Sequence, residues 1–572
     1  MYLAGWSKQP LPLTPRGYAM HGYGQWHHRA RSTRLPLMCR TIVLHHGHQH
    51  LVFCCLDLGY ITYAIRQGVC DHLTTVLGGD FTPEQLVLTC THTHSGPGGC
   101  SHDGLYNLVT PGYVPDYVEA IVTTTAETIL EAWNSAEPTE ISLSTGHFEN
   151  EIPVAWNRSL DAYNENPEIV PRDDLHAHLA LDRTMPVLDF QRNGQTHALM
   201  SLFGVHATCV SSQQTAFDGD NKGYAARNAE SQLEATGIAN PVAIFAQGTA
   251  GDVSPHYHGP GQARRRKAIH GEAEYQYARR NGEYQSTLAL GALGEEATRI
   301  ESEGLDALLS YIAMPGRKAD PAYANGVDDA YTSAPCHGVP FFAGTPVDGP
   351  GMPSLLARSA GWLARRLRRK RLNGSADDSD RSYYQQLYQA QGNKDILLEA
   401  GRKQVLGHTL DRLPLPGWAD PLVAEMKRQA RLGALNQSDL VPSVLPLQIV
   451  TLGQIAVVCC PGEFTTVAGQ RVRDTVSAQL ANTGIEQVLL LTYCNDYMGY
   501  VTTREEYQRQ RYEGGHTVFG QWSLAVFQTE FAELARQLNK APEQRTYDRE
   551  TRPTPVPEAE LALRSNVPPP GL

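Results

Sequence analysis

The chain has 572 residues, 41% hydrophobic and 19% charged, enough for a large core and ordinary for a soluble globular protein. Its formal net charge of −12 excludes a general nucleic-acid binder, which needs a broadly basic face. No run approaches the roughly 20 apolar residues that cross a bilayer, and residues 1–10 lack the basic flank and apolar stretch of an export signal, so a cytoplasmic location is expected.

In chain order, residues 39–59 read as two apolar strands around a glycine-containing turn. His45, His46, His48 and His50 lie at its tip, where polar residues are expected without any metal. Residues 116–136 carry apolar positions at three- and four-residue spacing and predict a helix. From residue 61 onward strands alternate with such helices, which indicates an α/β domain with a mixed sheet. Residues 258–305 are polar and rich in Arg, Glu and Gln, and residues 316–353, full of Gly and Pro, read as a long ordered loop. Residues 354–372 predict a basic helix with Leu356, Ala360, Leu363 and Leu367 on one face. Two readings stay open there: a leucine stripe packed on the domain, or a helix lying on an anionic membrane. After residue 541 prolines accumulate, so 541–572 is expected to be an extended arm beside a catalytic body of residues 1–540. The eleven cysteines include the adjacent pairs Cys54–Cys55 and Cys459–Cys460, which point to opposite faces of a strand. They read as small buried hydrophobes, and the lack of any CxxC pair argues against a thiolate zinc site.

Five apolar runs end abruptly in residues that bind metals or carry protons. Residues 86–90 lead to His92 and His94, and residues 198–205 to His206. Residues 241–247 lead to Asp252 and Ser254, residues 455–460 to Glu463, and residues 487–499 to Tyr500. Strands finishing at a common edge would gather these groups into a zinc hydrolase site. On a strand, His92 and His94 would leave on the same side, as two ligands or as one ligand and one substrate contact. Catalytic zinc takes three protein ligands from His, Asp or Glu and keeps a position open. Ser254 lacks the paired glycines of a nucleophile elbow and reads as a turn-capping serine. Asp218-Gly-Asp220-Asn-Lys222-Gly223 starts like a calcium loop but lacks the later ligands.

Seven segments taken together resemble the neutral/alkaline ceramidase family. They are THTHSGPGG from Thr91, WNRSLDAYNENP from Trp156, DGDNKGYAA from Asp218, AQGTAGDVSP from Ala246, CHGVPFFAGTPVDGPG from Cys336, PGEFTTVAGQRVRD from Pro461 and DYMGYVTTREEYQRQRYEGGHTVFG from Asp496. They stand in the family's order and cover residues 20–530. The resemblance implies cleavage of the N-acyl amide of ceramide, giving sphingosine and a fatty acid, at a zinc ion. Carried over by motif, His92, His206, Glu463 and Tyr500 would be the zinc ligands. His94, Arg158 and Tyr512 would contact the amide and its developing oxyanion, and Ser254 matches a serine tied to catalysis. Zinc would polarise the carbonyl or activate water near neutral pH, and water is favoured over Ser254 as nucleophile. His94 is suited to protonate the leaving amine.

The chain also departs from the family's pattern. It shows no export signal and ends too soon after residue 530 for the family's C-terminal β-sandwich domain. The stretches after His206 and Ser254, and the Arg-rich segment 358–445, differ as well. The expectation is an amidohydrolase of ceramide or a related N-acyl lipid, with peripheral membrane contact. The alternatives are a zinc hydrolase of another amide or ester, or a non-catalytic lipid-binding homologue.

Overall fold

The computed structural model describes all residues except 109, 111, 257–261, 295, 302–303, 346, 350, 374–377, 418–419 and 566–572. Twelve long strands form two sheets. The first holds β1 (Tyr2–Pro10), β2 (Met38–His46), β3 (Gln49–Leu56), β4 (Leu86–Cys90), β5 (Glu137–His147), β6 (Thr184–Arg192), β7 (Gln195–Leu202) and β8 (Val242–Ala246), in the order β8-β7-β6-β5-β1-β2-β3-β4. Only β3–β4 and β7–β8 pair in parallel, so the sheet is mixed as expected. The second sheet holds β9 (Leu305–Ala313), β10 (Val444–Leu452), β11 (Ile455–Cys459) and β12 (Gln487–Leu491), in sequential order with β11–β12 parallel.

The helices that matter here are α1 (Tyr63–Leu77), α2 (Pro115–Asn134), α3 (Asp220–Ala235), α4 (Glu272–Gly291), α5 (Val339–Ala343), α6 (Ser354–Asn373), α7 (Asp378–Gln391), α8 (Thr466–Leu480), α9 (Tyr512–His516) and α10 (Ser523–Leu538). Pro115 opens α2 at a position that needs no amide donor, and Tyr117, Val118, Ile121, Thr125, Ile129 and Ala132 form its buried face.

The core explains the layering. Ile42, Phe53, Val87 and Met200 of the first sheet pack against Val450, Ile455, Val457 and Leu489 of the second. The opposite face of the first sheet, with Val43, Val52 and Cys54, is covered by Ile65, Val69, Ile121 and Ile129 of α1 and α2. The opposite face of the second, with Ile449 and Val458, is covered by Val472, Val476, Phe527 and Phe531 of α8 and α10. Helices α3 and α4 cover β6–β8. The result is helix–sheet–sheet–helix. Strands β4, β8 and β11 are buried at every residue, which is why they read as unbroken apolar runs.

Several expectations change. The five apolar runs belong to two facing sheets rather than to one common edge. The 316–353 stretch contains a short strand, Cys336–Gly338, and the helical turn α5. On α6 the stripe does not pack as a leucine seam: Ala360 is buried and Leu367 half-buried, while Leu356 and Leu363 face solvent. The arm after residue 541 carries a short helix, Glu558–Arg564, docked on the body, and residues 566–572 lie outside the described residues. All eleven cysteines are buried and free. Among the described residues no helix is long and apolar enough to cross a membrane.

Candidate active site

Three minimal bridges assemble the site. Thr93 pairs in parallel with Ala207, joining the loop of His92 and His94 to that of His206. Glu463 and Tyr500 are direct partners in the two-residue parallel pair Glu463–Phe464 with Tyr500–Val501. Val253–Ser254 pairs antiparallel with Trp156–Asn157, which sets Arg158 beside the Ser254 turn. Each bridge stands where a buried strand has just ended.

His92 does not sit on a strand. Strand β4 stops at Cys90, and His92 takes a left-handed backbone with φ 61°. For an L-residue that conformation costs about 1–2 kcal/mol. It turns the chain so that the His92 and His94 rings meet edge to face, with their Nε2 atoms 3.1 Å apart.

The protonation pattern follows from the partners. His92 Nδ1 lies 2.5 Å from the Gly59 carbonyl, and His206 Nδ1 lies 3.1 Å from the Val253 carbonyl. A carbonyl only accepts, so each ring carries its proton on Nδ1 and aims a bare Nε2 lone pair inward. His206 Nε2 is 2.9 Å from Glu463 Oε2 and 3.0 Å from the Tyr500 hydroxyl, and His92 Nε2 is 3.4 Å from Glu463 Oε1. Burial pushes the Glu463 carboxyl up, but the charge and hydrogen bonds of His92 and His206 in their protonated form outweigh it and hold the group well below its ordinary value; a cation between bare Nε2 atoms would act in the same direction.

Two imidazole lone pairs and an ionised carboxylate thus converge in a buried space. The His92–Glu463 and His206–Glu463 separations of 3.4 and 2.9 Å lie near the ~3.4 Å edge of a tetrahedron with metal–ligand bonds of ~2.1 Å. The donor set therefore fits a metal ion. His92, His94 and His206 also form a buried group able to hold one, their ligand atoms lying within 4.8 Å of one another. The hairpin histidines are not among them: His45 and His50 are cross-strand neighbours packed against Trp133, His45 edge-on and His50 tilted.

A second circle of residues fixes the first. Tyr493 donates to Glu463 Oε2 at 3.3 Å, and Tyr497 donates to Oε1. Arg158 is buried and fully engaged: it donates to Tyr500 Oη and the Gly251 carbonyl at 2.9 Å each, to Glu513 at 2.9 Å and to Asp348 at 3.0 Å. Its guanidinium lies 5.6 Å from the centre of the Tyr512 ring, and Tyr512 meets Tyr500 edge-on. Ser254 Oγ donates to Asp348 at 2.7 Å and has no imidazole partner among the described residues. His94 is buried, its Nδ1 has no partner, and burial, then His92 and His206, hold its pKa well below the ordinary value.

All eight residues singled out in the sequence are therefore linked, directly or through one neighbour. Asp348, Glu513, Tyr493 and Tyr497 were missed. Asp348, Tyr497 and Glu513 lie inside motifs quoted above, but nothing local marks them, because their partners stand far away in the chain.

A family description reading neutral/alkaline non-lysosomal ceramidase, N-terminal, matches residues 2–411 and 427–529. A neutral ceramidase of Pseudomonas aeruginosa is 30% identical over 543 residues, spanning 94% of this chain and 72% of that protein. Neutral ceramidase B of Dictyostelium discoideum is 31% identical over 519 residues, spanning 85% of this chain and 65% of that protein. A solved structure titled as a ceramidase complexed with C2 superposes with a TM-score of 0.78 at 27% identity, covering 97% of this chain and 77% of that one. The chain belongs to the neutral/alkaline non-lysosomal ceramidase family and is a ceramidase-type hydrolase.

Proposed function

We propose that this protein is a zinc-dependent amidohydrolase that cleaves the N-acyl bond of ceramide or a closely related N-acyl lipid, releasing a long-chain base and a fatty acid. The observation that carries this reading is the meeting of His92, His206, Glu463 and Tyr500 at one buried point in a member of this family. When bound there, zinc supplies Lewis-acid polarisation of the amide carbonyl and lowers the pKa of water.

The remaining work belongs to the chain's own residues. The carbonyl contacts on Nδ1 of His92 and His206 fix their tautomers, and the Tyr493 and Tyr497 hydroxyls hold Glu463 in place. Arg158, held in four directions, fixes the Tyr500 hydroxyl, and the neighbouring Tyr512 hydroxyl provides a donor beside it, where charge grows on the carbonyl oxygen. One such preorganised donor is worth roughly 3–4 kcal/mol. His94, buried with Nδ1 unshared, is the candidate to carry a proton to the leaving amine. Ser254 donates to Asp348 rather than facing a base, which supports a role in positioning Arg158 through that shared carboxylate rather than in attack. An N-acyl lipid of this kind resides in a bilayer, so the enzyme has to meet a membrane surface to reach it.

The test pairs metal analysis with turnover. The wild-type protein should hold about one zinc per chain and release fatty acid from a short fluorescent ceramide, and His92→Ala should lose both properties. Full activity in metal-free protein would sink the mechanism. Cleavage of water-soluble N-acyl amino acids alone would sink the lipid substrate.

A further inference from the structure

Helix α6 is packed inside out. Its small residues Ala360, Gly361 and Ala364 face the protein, so closely that a Cβ on Gly361 would stand 3.1 Å from the Asp395 carboxylate. Its large apolar residues face outward: Leu355 is 73% exposed, Leu356 59%, Trp362 51% and Leu363 43%. Four of the thirteen exposed large hydrophobics among the described residues thus fall within nine positions of one helix. Exposed apolar side chains grouped in this way mark an interaction face rather than ordinary surface.

The charge on the same helix selects the partner. Residues 354–373 carry six arginines and one lysine and no acidic residue, on a chain whose net charge is −12. Three of the arginines are engaged by the body: Arg365 pairs with Asp395, Arg368 donates to the Gly392 carbonyl and Arg371 pairs with Glu399. Arg358, Arg366, Arg369 and Lys370 make no ion pair among the described residues, and Arg366 lies over the Trp362 ring. On a helical wheel Leu355, Trp362, Arg366, Arg369 and Lys370 share the sector opposite Ala364. A sector with Trp and Leu at its centre and long basic side chains around them matches a helix lying in the headgroup plane of an anionic bilayer.

The helix is also next to the site. Val339 and Phe342 of α5 pack against Ala357 and Ala360 of α6, and Phe341 of the same turn lies tilted against the Tyr512 and His516 rings. We infer that the outward face of α6 is a docking surface for an anionic lipid bilayer, which brings the membrane beside the aromatic wall of the active site. That use of the surface rests on the proposed lipid substrate; the docking itself does not.

Flotation of the full-length protein with vesicles tests it. Wild type should float with vesicles of equal parts phosphatidylcholine and phosphatidylglycerol, less so at high salt, and poorly with phosphatidylcholine alone. Each basic residue near an anionic surface contributes about fivefold to binding, so combined Arg366→Gln, Arg369→Gln and Lys370→Gln should weaken it on the order of a hundredfold. Leu355→Ser, Leu356→Ser, Trp362→Ser and Leu363→Ser together should abolish flotation at either salt. All seven positions are exposed or lie at the helix surface, so the melting midpoint should hold. Equal flotation of wild type and variants would overturn the proposal. So would a wild type that ignores anionic vesicles, or one that is dimeric in solution where the variants are monomeric, which would make the face an interface between two copies. Because the readout is binding, a protein that floats but leaves ceramide intact would count against the substrate and not against the surface.

Discussion

At position 92 a histidine accepts a backbone conformation that side chains avoid, and at position 22 a glycine is required for the same constellation to exist. Gly22 has φ 112°, and a Cβ there would lie 2.4 Å from Cγ of the His94 ring. Gly22→Ala should therefore push His94 aside without touching His92, His206 or Glu463. If His94 carries a proton rather than a metal, turnover falls on the order of a hundredfold while the metal content stays the same. Metal analysis beside turnover decides it: loss of the ion along with activity would make His94 a ligand instead. The residues legible in the sequence were those that end an apolar run, because a metal or proton group at a strand end has few structural uses. Glu513 and Asp348 carry no such mark. They matter because Arg158 finds them 355 and 190 residues away in the chain, and no local pattern encodes a partner at that distance.

Among the elements, strands β2–β4, β7, β8, β11 and β12 and helix α2 were readable because burial on both faces or on one stripe leaves a continuous or periodic apolar pattern, whereas β1, β5, β6, β9 and β10 were not read. The two-residue bridges that join Glu463 to Tyr500 and Ser254 to Trp156 were not, since two residues carry no period. Helix α6 was readable as a helix but not in its orientation, because its alanines and glycine, not its leucines, fit against Asp395. The start of α3 shows a further consequence of burial. Asp218 accepts from the Asp220 amide at 2.7 Å and from the Tyr224 hydroxyl at 3.0 Å, and both Asp218 and Asp220 are fully buried. Burial, and after it the Asp220 charge, push Asp218 up to about 7; burial pushes Asp220 up to about 6 against backbone amides that favour its charge. The folded chain thus keeps protons that the unfolded chain releases near its ordinary carboxylate pKa of ~3.9. The resulting stabilisation is complete below that value and is lost as pH rises through about 7. Urea unfolding from about pH 5 to about pH 8 should show wild type losing stability relative to Asp218→Asn, whose side chain does not titrate. Parallel profiles for the two proteins would refute the assignment.

For the whole molecule, the alternation of strands and helices announced a mixed α/β body, but the division into two facing sheets was hidden. Strands β4, β8 and β11 look alike as sequence and each pairs with strands nearby in the chain, so nothing local tells that β11 belongs to a second sheet packed across the core. The arm after residue 541 was also only half visible. Its prolines kept it from reading as core, yet its described part is tied to the body at several points. Arg545 pairs with Asp306, the Asp548 carbonyl accepts from Ser310 at 2.9 Å, and Arg564 is buried where its carbonyl meets the Tyr113 amide. Glu560 anchors the short helix by accepting from the Gln437 and Ser438 amides at 2.8 Å each. Removing that carboxylate leaves two amides without their charged partner, and hydrogen bonds of this kind contribute about 1.5–3 kcal/mol each. Glu560→Ala should therefore lower the stability of the whole protein by about 3 kcal/mol, with the Tyr113 loop beside it losing hydrogen-exchange protection. An arm that merely trails over the surface would leave both readouts unmoved. In that case the body of residues 1–540 would hold together by its two sheets alone.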